Sequence, residues 1–350
     1  MDKSCLTQLK EKSFMQERTI NQKGPSSRFD KQITAKRPGK APDKDMVWIP
    51  GGAFMMGSDY HYPEESPAHL VRVDGFWMDR YAVTNKQFQR FVKATGYVTV
   101  AERPPKPEDY PGAIMELLVP GSAVFQQPNH LVNLQTCSWW IYVSGANWRH
   151  PAGPGSSIKG RENYPVVHIA YEDAEAYATW AGKSLPTEVQ WEFAARGGLE
   201  GAVYTWGNEF TPQGKQMANT WEGEFPWQNL KPRSPGAESV GSYPPNGYGL
   251  YDMIGNVWEW TTDWYRDSHP ENKTKSCCIP VNPKGGTQQE SFDPNTPLFR
   301  IPRKVLKGGS FLCAPNYCQR YRPAARHPET VDTSTCHIGF RCIVNVKLTS

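Results

Sequence analysis

The first apolar run of the chain, residues 46–50, follows a long polar stretch and leads through Gly51-Gly52 into a second short run at 53–56. The pattern predicts a strand, a turn and a strand. Alternation across VRVDGFWM predicts another strand over 71–78. Thr84 then offers an N-cap to a helix over 85–94, in which Phe88, Phe91 and Val92 share one face and which Gly96 closes. Residues 101–165 have weak periodicity and many prolines, and predict long ordered loops around an aromatic cluster of Trp139, Trp140, Tyr142 and Trp148. VVHIA (166–170) reads as a short buried strand, and 171–181 as a helix burying Ala174, Tyr177, Ala178 and Ala181. Thr187 and Gln190 form a capping-box start for a helix that stops at Gly197-Gly198. From 204 onward the pattern is loops and short strands, with 269–302 as an inserted surface loop. Helices and strands do not alternate regularly, so the expected class is α+β, a single large domain of low regular content.

Composition sharpens this picture. Gly (30) and Pro (31) make up 61 of 350 residues, about 17% against an average near 12%, which excludes a helix bundle or long coiled coil. No blocks repeat at a fixed period, which argues against a solenoid or propeller. No run reaches the roughly 18 apolar residues of a bilayer span, and the opening MDKSCLTQLKEKSFM has no apolar secretory segment, so the expected compartment is cytoplasmic.

Net charge is +4, but residues 1–45 alone carry eight Lys and three Arg against four Asp and two Glu, a surplus of +5. The remainder is at −1, which gives no global electrostatic case for nucleic acid. The expected division is a disordered basic leader over 1–45 and one domain over 46–346.

The chain has eight cysteines, at 5, 137, 277, 278, 313, 318, 336 and 342, with no C-x2-C pair of a zinc ribbon. Cys313 and Cys318 converge if Pro315-Asn316 turns the chain, and such a pair could be inert, form a disulfide, do redox work or hold a soft metal. Copper(I) suits an all-sulfur site. Zinc would need further ligands, for which His327, Cys336, His337 and Cys342 are near in sequence. In NGYGLYDMIGNVWEW, Asp252 and Glu259 flank glycines that could turn carbonyls toward a calcium ion, although a glycine-shaped turn with exposed carboxylates is the commoner outcome. The stretch Arg320, Arg322 and Arg326, with Arg341 further on, could line a peptide groove or brace a loop-rich core, and the sequence favours neither.

Together these blocks resemble the formylglycine-generating enzyme family, also called sulfatase-modifying factor. The matching pieces are MVWIPGGAFMMGS, DRYAVTNKQFQRFVKATGY, GANWRHPAGPGSS, YPVVHIAYEDAEAYATWAGKSLPTEVQWEFAARGG, NGYGLYDMIGNVWEW, KGGSFLCAPNYCQRYRPAAR and HIGFRC, in the family's order over roughly 46–343. The resemblance implies a C-type-lectin-like fold. It also implies an oxygen-dependent oxidase that converts the cysteine of a C-x-P-x-R motif in an unfolded sulfatase to Cα-formylglycine, with copper(I) held by Cys313 and Cys318 and a thiol as reductant. By position it implies Ser310 and Trp258 at the oxygen pocket, and Tyr317, Arg326, His337 and Arg341 at the substrate.

Calcium carries over onto Asp252, Met253, Gly255, Val257 and Glu259, with Met253, Gly255 and Val257 acting through carbonyls. A second calcium site would use Asn219 and Thr220, but the expected downstream acidic ligand is missing from NLKPRSPGAESVGSYPP. Ala314 stands where many members have His, and His337 where many have Asn. Ala178, Ala195 and Pro323 replace cysteines that form extra disulfides in secreted members, in keeping with a reducing compartment. Family members are usually monomeric. Two rivals remain: a non-catalytic peptide-binding module on the same fold, and an iron-dependent sulfoxide synthase, which would need a histidine cluster that the eight scattered histidines do not supply.

Overall fold

All three predicted helices form, each with the local chemistry that favours it. In the computed structural model, which describes residues 37–270 and 279–346, α1 is Asn85–Thr95 and α3 is Glu188–Arg196. Both have a reciprocal capping box, Thr84 with Gln87 and Thr187 with Gln190, and both end on a glycine in the left-handed region. α2, Tyr171–Trp180, starts where the Asp173 carboxylate accepts from the Ala170 amide. VVHIA is buried but forms no strand.

The strands divide among small sheets. β1 (Met46–Ile49), β4 (Phe76–Asp79) and β11 (Ile343–Asn345) form one sheet, with β4 central, and β2 (Gly52–Met56) pairs with β3 (His69–Val73). The predicted strand over 71–78 is therefore two strands in different sheets. The reason lies at the crossings: a Cβ on Gly51 would sit 2.5 Å from the Val73 carbonyl, and one on Gly75 2.4 Å from the Trp48 ring. β5 (Gly121–Phe125) and β6 (Trp140–Ser144) pair antiparallel within the stretch expected to be loop. The last sheet runs β10 (Ile338–Gly339), β7 (Trp258–Trp264), β8 (Arg303–Lys307) and β9 (Arg326–Thr330).

One continuous apolar core joins these sheets to the helices. Every residue of α3 is buried, its charged residues included. Glu188 takes Arg326 at 2.8 Å, Glu192 takes Arg196 at 2.7 Å, and the Lys307 ammonium lies 3.1 Å from Glu192. Arg320 pairs with Glu64 at 2.6 Å and Arg322 with Glu65. Ionised groups are kept inside only when paired in this way. The arginine-rich stretch thus braces the core.

Most of the expected leader, residues 1–36, lies outside the described residues, as do Cys277 and Cys278. Within 37–45, the Arg37 guanidinium lies over Trp77 and Asp43 sits 3.4 Å from Lys183. Among the described residues no helix is long and apolar enough to cross a membrane.

Candidate active site

β8 delivers the chain to Gly308-Gly309, where φ of +92° and +71° turns it back over Trp191 and the backbone of Tyr321. The Cys313 amide then bonds to Ser310 O at 3.0 Å. One helical turn follows, in which the Cys318 amide reaches Ala314 O at 2.9 Å. Pro315 opens that turn, a position where its missing N–H costs nothing. The result is convergence of two thiols five residues apart: the Cys313 and Cys318 sulfurs are 3.2 Å from each other, both buried and neither in a disulfide.

The two thiols are electrostatically unequal. Burial, followed by the hydrogen bond and charge of Cys318, drives Cys313 well above the ordinary thiol range. Burial also opposes ionisation of Cys318, but the hydrogen bond from Cys313 and the charge and hydrogen bonds of Arg320 bring it down to about 7. One proton therefore stays on Cys313 while Cys318 carries thiolate character near neutrality.

These sulfurs lie at a small cleft with aromatic walls. Phe225 stacks on Tyr317 at 4.3 Å and Trp139 meets Tyr317 edge-on at 5.5 Å. Trp140 packs against His337 at 4.9 Å, and burial pushes that imidazole down to about 3, keeping it neutral. Ser310 lies beside the thiols, its amide 3.4 Å from the Cys313 sulfur. Trp258 closes the back, stacked on His327.

Of the sequence-predicted site residues, Cys313, Cys318, Ser310, Trp258, Tyr317 and His337 meet at this cleft. Arg326 and Arg341 do not. Arg326 spends its guanidinium on Glu188 and on the Arg266 carbonyl at 2.8 Å, and Arg341 is locked to Glu259 at 2.7 Å. Buried guanidinium groups need such partners more than a substrate does. Among the described residues no cluster of three or more His, Cys, Asp or Glu is placed to hold a metal, so His327, Cys336, His337 and Cys342 do not form a zinc set. Cys336 accepts from the Phe125 amide at 3.3 Å and Cys342 is buried. Cys137, in contrast, is disulfide-bonded.

The residues 31–346 match the model of the sulfatase-modifying factor enzyme 1-like domain. The chain belongs to the sulfatase-modifying factor family of formylglycine-generating enzymes. It is 50% identical over 304 residues to the formylglycine-generating enzyme of Mycobacterium tuberculosis, covering 86% of this chain and 98% of that one. It is also 36% identical to the inactive Cα-formylglycine-generating enzyme 2 of Bos taurus, over 87% and 89% of the two chains. The solved structure of PvdO from Pseudomonas aeruginosa superposes with a TM-score of 0.56 at 23% identity, over 89% of this chain and 100% of that one, a likeness of fold. The sulfatase-modifying factor fold is thus the C-type-lectin-like α+β fold expected from the resemblance.

Trp139, Trp140, Phe225 and Leu312 complete the cleft and were not singled out as site residues by the sequence. For Trp139 and Trp140 the signal was present, an aromatic cluster in a region without periodicity.

Of the residues expected at calcium, Asp252 and Glu259 both accept hydrogen bonds from within the protein. Asp252 has φ +53°, and its carboxylate accepts from the Gly241 amide at 2.7 Å. Burial pushes that acid up to about 6. Glu259 accepts from Trp191 and Arg341, each at 2.7 Å. Asn219 and Thr220 are buried, and the Asn219 side-chain oxygen accepts from the Lys231 ammonium at 2.6 Å.

Proposed function

We propose that this chain is an oxygen-dependent oxidase that converts the cysteine of a C-x-P-x-R motif in unfolded sulfatase polypeptides to Cα-formylglycine. The observation that carries this reading is the pair of buried sulfurs 3.2 Å apart at an aromatic cleft. The reaction breaks the substrate Cβ–S bond and forms a carbonyl. The thiol, dioxygen, two electrons and two protons give the aldehyde, hydrogen sulfide and one water, with an external thiol as reductant.

The donor set fits copper(I). Two thiol sulfurs, with no third His, Cys, Asp or Glu beside them among the described residues, suit a soft monovalent ion, and the near-neutral acidity of Cys318 favours exchange of its proton for metal. Cys313 and Cys318 would hold the ion, whose role when bound is to couple the substrate sulfur to dioxygen.

The chain's own groups do the rest. Arg320 holds Cys318 near its ionised form, and the Phe225, Tyr317 and Trp139 rings exclude water from the sulfurs. Trp258, Ser310 and the neutral His337 shape the space where the substrate cysteine and dioxygen would sit.

Calcium is proposed at Asp252 and Glu259 with the carbonyls of Met253, Gly255 and Val257. The desolvated Asp252 carboxylate supports it, because a hard cation supplies the counter-charge that burial removes. Action as a cytoplasmic monomer belongs to the same proposal.

The test is to incubate reduced protein, copper(I) and a peptide containing C-T-P-S-R in air. Appearance of a hydrazide-reactive aldehyde supports the oxidase. Tight binding of an unchanged peptide would favour the non-catalytic binding module instead.

A further inference from the structure

The residues at Asn219 and Thr220 do not fit a second calcium ion, because a cation of the chain itself is already there. The Lys231 ammonium donates to Asn219 Oδ1 at 2.6 Å and lies 3.9 Å from both Glu222 Oε1 and Glu238 Oε1. The amide of Asn219 is held in that orientation by its other end, which donates to Gly236 O at 3.0 Å and to Asn256 Oδ1 at 3.1 Å. Lys231 is presented just as deliberately. Its own amide bonds to Asn229 Oδ1 at 3.1 Å, and the Leu230 amide bonds to Glu222 O at 2.9 Å. Its side chain is only 12% exposed.

We infer that Lys231 is a tethered substitute for a metal ion, and that this site takes up no calcium. An ammonium carries one positive charge and donates three hydrogen bonds, enough for one amide oxygen and two carboxylates at longer range. Arg233, 2.9 Å from Glu238, supplies the second charge that a divalent ion would have brought.

The consequence reaches the cleft. Asn219 O accepts the Asn256 amide at 2.8 Å, Asn256 O accepts the Phe311 amide at 3.0 Å, and the Trp221 amide bonds to Cys313 O at 3.0 Å. The residue that Lys231 holds, Asn219, is thus joined through main-chain hydrogen bonds to the segment that carries the thiols.

Equilibrium dialysis with labelled calcium on the full chain, alongside thermal melts, tests this. The wild type binds at most one calcium ion, and Lys231→Met binds one more than the wild type. Lys231→Met also melts lower than wild type without calcium and regains its melting temperature in millimolar calcium, whereas Lys231→Arg keeps the wild-type stoichiometry. Equal stoichiometry in wild type and Lys231→Met, with no calcium rescue, overturns the inference. If Lys231→Met does not fold, the wild type decides alone: two ions per chain refute the substitution and one or none supports it. The count of one against none reports on the Asp252 site, so the two readings fail separately.

Discussion

The Arg320 guanidinium donates to the Glu64 carboxylate at 2.6 Å from Nη2 and 3.2 Å from Nε, and its charge also bears on Cys318. Glu64 thereby fixes the group that makes one cleft thiol acidic. The double variant Arg320→Met/Glu64→Leu removes the pair without stranding a buried charge, whose cost alone would be about 3–5 kcal/mol. The pH midpoint of Cys318 alkylation should move from about 7 toward the ordinary thiol value, roughly 8.5. An unchanged midpoint would mean that Arg320 does not set the acidity.

Phe225 is buried between Trp139, Trp221 and Tyr317. Phe225→Ala should cost about 3–5 kcal/mol in denaturant unfolding. It should also raise the KM for peptide, because Tyr317 loses the ring that holds it at the cleft. A normal KM in a destabilised variant would assign Phe225 to the core alone.

His168 is fully buried, its Nε2 donating to Pro151 O at 2.9 Å, and burial pushes it down to about 4 from 6.5. The unfolded chain therefore binds a proton between these values that the folded chain refuses. The stabilisation is present above pH 6.5 and lost as pH falls toward 4, the loss by pH 5 amounting to about 2 kcal/mol. His168→Gln should flatten the fall in stability between pH 7.5 and 5, measured by urea unfolding. An equal slope in the variant would remove His168 from the acid response.

If calcium sits at Asp252 and Glu259, chelation should lower the wild-type melting temperature and added calcium should restore it. A calcium concentration a hundredfold above Kd is worth about 2.7 kcal/mol. Asp252→Ala should abolish the response, and a response that survives the substitution would place the ion elsewhere.

What the sequence made legible was what local chemistry controls. Thr84, Thr187 and the glycines that close α1 and α3 are signals within a few residues, and both helices formed at them. The single strand expected at 71–78 failed because its break depends on which sheets receive each half, a contact with Trp48 that no local pattern carries. β5 and β6 were hidden for a related reason: their ladder forms across the long connection 126–139 rather than a short hairpin turn.

The site divides in the same way. Cys313 and Cys318 stood out by their five-residue spacing around a proline, which left inert, disulfide, redox and metal roles open until the resemblance chose among them. Arg326 and Arg341 were expected at the substrate, but their partners Glu188 and Glu259 are distant in sequence and bury them. Lys231 was readable only as the absence of an acidic ligand. That a cation stands in its place required the fold.

The most direct measurement of the central claim is formylglycine yield from the C-T-P-S-R peptide with and without copper(I), in wild type, Cys313→Ser and Cys318→Ser, alongside copper stoichiometry. Wild type should bind one copper ion per chain and convert the peptide only when loaded, and each serine variant should lose both properties. Conversion that persists in either serine variant, or that proceeds undiminished without copper, would contradict the account.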